Sequence, residues 1–90
     1  GTLLSPAAGR ISYFFNLTGP SMVIDTACSS SLVSIHQAIM SLRNHESDIS
    51  IVGGVGLLLE PSLSICFSKA NMLSPDGRCK TFDDSANGYV

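Results

Sequence analysis

Charge is scarce in this sequence and tryptophan is absent: only 13% of the 90 residues are Asp, Glu, Lys or Arg, against 44% that are hydrophobic. A free-standing domain of this size needs a polar coat, because small domains bury only a modest fraction of their surface. A chain this apolar is expected to belong inside something larger. The start at Gly1 without a methionine and the stop at Gly88-Tyr89-Val90, mid-pattern, point the same way, to residues 1–90 as an internal fragment of one domain. Five basic against seven acidic residues leave a net charge of −2 and no electrostatic footprint for nucleic acid. No block of like charge suggests a membrane surface or an acidic tail. The apolar content argues equally against disorder.

Long hydrophobic runs are missing too. The longest, Ile49 to Leu59, has 11 residues between Asp48 and Glu60, too short to span a bilayer. There is no visible signal peptide. The three cysteines, Cys28, Cys66 and Cys79, are an odd number without framework spacing, which argues for reduced thiols and a cytoplasmic setting. With only two histidines and no CxxC pair, zinc spacing is absent. Gly53-Gly54-Val55-Gly56 does not extend to GxGxxG, so its glycines are expected to serve close packing or a bend. Asp83, Ser85, Asn87 and Gly88 mimic part of a calcium loop, but Pro75-Asp76-Gly77 breaks the helix that should precede it. Asn16-Leu17-Thr18 fits a glycosylation sequon, a triplet common by chance. Lys69, Arg78 and Lys80 cluster late in the chain, where they could meet an anionic carrier or simply form a solvated face.

What is present is an α/β pattern. Ser5-Pro6 reads as a helix start, with the helix running from Pro6 to about Phe15. Thr18-Gly19-Pro20 is a turn. Ser21 to Thr26 reads as a short strand, followed by a helix from Ser29 to about Asn44. The apolar residues Leu32, Ile35, Ile39 and Leu42 are spaced to share one helix face with Cys28 at its head. Ile49 to Leu59 reads as a strand buried on both faces, since its apolar residues barely alternate. Pro61 opens a further helix through about Ala70, and the chain is loop-like from Ser74. Strand, helix, strand in this order predicts a right-handed βαβ unit.

Cys28 is the residue with chemistry to offer. A thiol attacks only as thiolate, and a helix N-terminus favours negative charge through its unpaired N–H groups. The same groups can hold an oxyanion when sulfur attacks a carbonyl. Ala27, Ser29, Ser30 and Ser31 are small enough to admit a substrate. A nucleophile on a strand-to-helix turn has the geometry of a nucleophile elbow, although the flanking glycines are absent. The competing reading is a small buried filler, a common use of free cysteine. A Cys–His dyad within the chain is excluded for His36. It lies eight residues along the same helix, about 12 Å away at the helical rise. His45 falls beyond the helix end.

These residues carry a family resemblance. GPSMVIDTACSSSL is similar to the active-site segment of β-ketoacyl synthases, in particular ketosynthase domains of type I polyketide synthases. The similarity begins at GRISYFFNLTGPS and continues through SDISIVGGV and NMLSPDGRCKTFDDSANGYV, nearly the whole chain. It implies a thiolase-like fold of α-β-α-β-α layers, of which this chain is part of the N-terminal half, usually in a homodimer with Ser21 to Thr26 near the interface. It implies decarboxylative Claisen condensation between a Cys28-bound acyl chain and a malonyl-type extender, both delivered on the phosphopantetheine of an acyl carrier protein. No cofactor or metal is implied to bind directly. Phe67, in FSKANMLS, matches a position lining the acyl pocket. Two departures stand out: the family's two catalytic histidines and C-terminal glycine-rich loop have no counterpart here, and Gly9 replaces what is usually Asn. The fragment alone is therefore expected to be inactive. The alternatives are a fatty-acid-type condensing enzyme and a non-elongating, ketosynthase-like interaction domain.

Overall fold

The computed structural model describes residues 4–90. The chain divides into two compact units, Gly1–Val55 and Gly56–Val90. The first holds helix α1 (Ser5–Phe14), a 3₁₀ turn (Ala27–Ser29) and helix α2 (Ser30–Arg43); the second holds helix α3 (Ser62–Lys69). Pro6 lies in the first turn of α1, where its missing N–H costs nothing, although Leu4 rather than Ser5 takes the cap position. Arg43 and Lys69 close α2 and α3, complementing the negative end of each helix dipole.

The three helices among the described residues stop in the same way. Asn16, His45 and Asn71 adopt left-handed backbone (φ 54°, 57° and 56°) one residue past each helix cap. The N–H groups of Leu17, Glu46 and Met72 then donate back to the carbonyls of Ser12, Ser41 and Phe67 at 2.8, 2.9 and 2.8 Å. These are Schellman closures, and two of the three left-handed residues are asparagine, the residue after glycine best suited to that conformation.

The two predicted strands are not hydrogen-bonded strands in this chain. Ser21 to Thr26 and Ile49 to Leu59 are neither helical nor laddered, and the one pairing among the described residues is an isolated parallel bridge between Leu73 and Tyr89. The physical reason is that a strand exists through its neighbours: a single apolar segment has no partner for its N–H and C=O groups until a second strand lies alongside. The same lack leaves the apolar residues uncovered. Ser74 is the one buried residue described, and Ile49, Val55 and Leu59 are each more than 80% exposed.

Leu32, Ile35, Ile39 and Leu42 do share one face of α2, and that face is exposed in this chain, whereas Ser30, Val33, Ser34, Ala38 and Ser41 are half-buried. Ser41 Oγ and Ser47 Oγ lie 2.9 Å apart, and a Cβ built on Gly54 would fall 2.7 Å from Ser31 Oγ. Of the Gly53-Gly54-Val55-Gly56 stretch, Gly54 alone meets the close-packing expectation; Gly53 and Gly56 face open space.

Candidate active site

Cys28 sits in the middle of the 3₁₀ turn that leads into α2, and it is exposed. The turn is built by its neighbours' side chains. Asp25 Oδ1 accepts the Ala27 N–H at 3.0 Å. Ser30 Oγ accepts the Thr26 N–H at 2.9 Å and donates to the Ala27 carbonyl at 2.6 Å. Ser29 Oγ donates to the Thr26 carbonyl at 3.0 Å, leaving its lone pairs to the Thr26 hydroxyl at 2.7 Å. Short hydroxyl and carboxylate side chains bond to nearby backbone in this way because their oxygens reach only two to four residues along the chain.

This network holds Ala27 at φ +58°, a left-handed conformation that costs a side-chain-bearing residue about 1 kcal/mol or more. The result is a sharp corner that presents the next residue, Cys28. Among the described residues no acceptor engages the Cys28 backbone N–H, so it stays available beside the sulfur. Cys66 and Cys79 are also exposed free thiols: Cys66 lies within α3, and Cys79 Sγ is 3.3 Å from Thr81 Oγ1.

His36 belongs to the second turn of α2 and His45 to its Schellman closure, and both are exposed. No group of three His, Cys, Asp or Glu that could hold a metal ion occurs among the described residues. No described helix is long and apolar enough to cross a membrane.

Phe67 lies in the second unit, near the end of α3, and is the one half-buried residue of that helix. Its ring meets the edge of Tyr89 with centroids 5.3 Å apart and planes at 73°. Tyr89 is brought there by a return of the chain. Its N–H donates to the Met72 carbonyl at 2.6 Å, and its own carbonyl accepts the Ser74 N–H at 2.7 Å. Gly88 makes the approach possible, since a Cβ there would overlap the Ser74 nitrogen and the Leu73 carbonyl.

A polar clip closes the intervening loop. Ser74 Oγ lies 2.7 Å from Asp76 Oδ1 and 3.2 Å from Asn87 Oδ1. The Lys80 ammonium donates to Asn87 Oδ1 at 3.1 Å and pairs with Asp76 Oδ2 at 3.1 Å. The Ser74 hydroxyl and then the Lys80 ammonium draw the Asp76 carboxyl down to about 2. Lys80 is thus engaged within the chain by Asp76 and Asn87. Asn87 faces a cation already, and the Asp83 carboxylate accepts both the N–H and the hydroxyl of Ser85, which holds Asp83 below its ordinary range. The partial calcium pattern is a set of local turn bonds. Sequence reasoning missed this clip and Tyr89. The turn residues in SPDGRCK signalled a loop, but nothing local signalled that Lys80 would reach Asn87 seven residues on.

Comparison with known proteins identifies the family and the fold. The family model for the β-ketoacyl synthase N-terminal domain matches residues 1–90. Among curated proteins, a phenolphthiocerol/phthiocerol polyketide synthase subunit of Mycobacterium tuberculosis is 62% identical over 84 residues, 93% of this chain and 4% of that protein. The hybrid PKS-NRPS synthetase lepA of Aspergillus flavus is 56% identical over 90 residues, 100% of this chain and 2% of that protein. Among solved structures, the ketosynthase from module 6 of the bacillaene synthase of Bacillus subtilis 168 superposes with a TM-score of 0.90 at 53% identity, covering 100% of this chain and 16% of that one. The fold is therefore the α/β, thiolase-like fold of ketosynthases, of which this chain holds a part from the N-terminal half. The chain belongs to the β-ketoacyl synthase family, within its N-terminal domain.

Proposed function

We propose that residues 1–90 are an internal piece of a single β-ketoacyl synthase domain acting in polyketide biosynthesis, with Cys28 as its nucleophile. The observation that carries this reading is the turn at Cys28: an exposed thiol, on a corner fixed by hydrogen bonds, with its own N–H free for a developing oxyanion. Membership of the β-ketoacyl synthase family supplies the reaction type.

In this reading an acyl chain arrives as a thioester on the phosphopantetheine of an acyl carrier protein. The Cys28 thiolate attacks the thioester carbonyl. The tetrahedral oxyanion forms against the Cys28 N–H and collapses, expelling the pantetheine thiol and leaving the acyl group on sulfur. A malonyl-type extender then loses carbon dioxide. Its carbanion attacks the Cys28 thioester, the carbon–carbon bond forms, and the Cys28 thiolate leaves. Phe67 lines the pocket that takes the acyl chain. Residues that serve the decarboxylation lie outside this chain, so the isolated fragment does not condense. The protein works in the cytoplasm as a homodimer and partners acyl carrier protein. No cofactor or metal binds to it directly.

The test uses a complete ketosynthase carrying residues 1–90, offered an acyl-pantetheine thioester, with loading read by intact mass. Cys28→Ala abolishes loading, whereas Cys66→Ala and Cys79→Ala load as wild type. A Cys28→Ala variant that still loads would overturn the proposal. Loading without extension when malonyl-carrier is added would mark a non-elongating domain and remove the condensation step.

A further inference from the structure

Resting on the reading that Phe67 lines the acyl pocket, we infer that Tyr89 is a positioning residue for Phe67 and thereby sets acyl-chain selectivity. Phe67 is tied from two sides within the second unit. Its carbonyl accepts the Met72 N–H at 2.8 Å, which fixes its backbone at the end of α3. Its ring packs on the edge of Tyr89, and the Tyr89 N–H returns to the carbonyl of the same Met72 at 2.6 Å. Phe67, Met72 and Tyr89 thus form one closed unit, with every backbone link a hydrogen bond.

The Tyr89 backbone is itself held in place. Gly88 lies against the Leu73–Ser74 backbone with no room for a Cβ, and the Ser74–Asp76–Lys80–Asn87 clip closes the loop between the two contact points. A ring held only by its own torsions would swing between staggered positions, whereas an edge-to-face contact with a ring carried on an anchored backbone favours one. A pocket wall that cannot swing discriminates by chain size. Truncating Tyr89 releases the Phe67 ring.

The experiment measures kcat/KM for acylation of Cys28 in a complete ketosynthase carrying residues 1–90, using acetyl- and hexanoyl-N-acetylcysteamine thioesters. The readout is the hexanoyl-to-acetyl ratio, which general destabilisation does not move because both rates would fall together. Phe67→Ala raises the ratio. Tyr89→Leu and Tyr89→Met raise it in the same direction by about threefold to tenfold, the worth of an edge-to-face pair. Tyr89→Phe, which keeps the edge, leaves it unchanged, and Phe67→Ala combined with Tyr89→Leu goes no further than Phe67→Ala alone. Tyr89→Met serves the same purpose if Tyr89→Leu fails to fold. A shift in Phe67→Ala with a wild-type ratio in the Tyr89 variants overturns the role of Tyr89 and leaves Phe67 in the pocket. A wild-type ratio in Phe67→Ala removes Phe67 from the pocket and takes the inference with it.

Discussion

Replacing Gly88 by alanine asks how much the return of the chain to Phe67 is worth. A Cβ at residue 88 would run into the Ser74 nitrogen and the Leu73 carbonyl carbon, both backbone atoms that cannot rotate away. The backbone at φ +155° is also one that L side chains rarely adopt. The returning segment must therefore open. Opening breaks the Tyr89-to-Met72 and Ser74-to-Tyr89 bonds, each worth about 1 kcal/mol net, and the Phe67–Tyr89 edge contact, worth about 1 kcal/mol more. The sum, about 3 kcal/mol, is a change of roughly a hundredfold in the local opening equilibrium. Amide hydrogen exchange resolved over residues 72–90 of a complete ketosynthase carrying this chain reads that change directly. Protection of the Ser74 and Tyr89 amides should fall by about two orders of magnitude in Gly88→Ala. Protection within about threefold of wild type would refute the close approach and the energetic links drawn from it.

Three further outcomes are expected. Ala27→Gly, which suits the left-handed turn, keeps acyl loading of Cys28, whereas Ala27→Val, β-branched at positive φ, loses most of it; equal loading by both would show that the corner is not needed. Gly54→Ala turns the Ser31 hydroxyl to another rotamer and destabilises a complete ketosynthase carrying this chain by about 0.5–1 kcal/mol in urea unfolding, and the double variant Ser31→Ala/Gly54→Ala recovers most of the loss; additive losses would count against the contact. The Asp76 carboxyl is lowered in the folded chain from 3.8 to about 2, so its contribution to stability is complete above about pH 4 and is lost as pH falls through about 2. Exchange protection over residues 74–87 should follow that acid limb in the wild type and lose the dependence in Asp76→Asn.

The separation of what was legible runs along the range of the interactions. Each helix was readable to within a residue or two because its determinants are local: Pro6 at one start, the apolar period of α2, and asparagine at two of the three stops. The corner at Cys28 was readable for the same reason, since Asp25, Thr26, Ser29 and Ser30 all bond within four residues of themselves. Family membership was readable because the DTACSSSL and SPDGRCKTFDD segments are specific in combination.

The remainder depended on residues distant in the chain. The two apolar segments were expected as strands, but pairing requires a partner that sequence alone does not bring alongside. Periodicity gave α2 its large-residue face, whereas the contacts made within this chain fall on its serines, Ser41 with Ser47 and Ser31 against Gly54. Lys80 read as part of a basic cluster, and its place between Asp76 and Asn87 came with folding. Tyr89 carried no signal of its own, and its place against Phe67 follows from a loop closure across 22 residues that no local pattern announces. Short-range chemistry along the chain was enough for the helices, the corner at Cys28 and the family. Which side of α2 is packed and what Phe67 leans on were settled by folding, since those contacts exist only once distant segments meet.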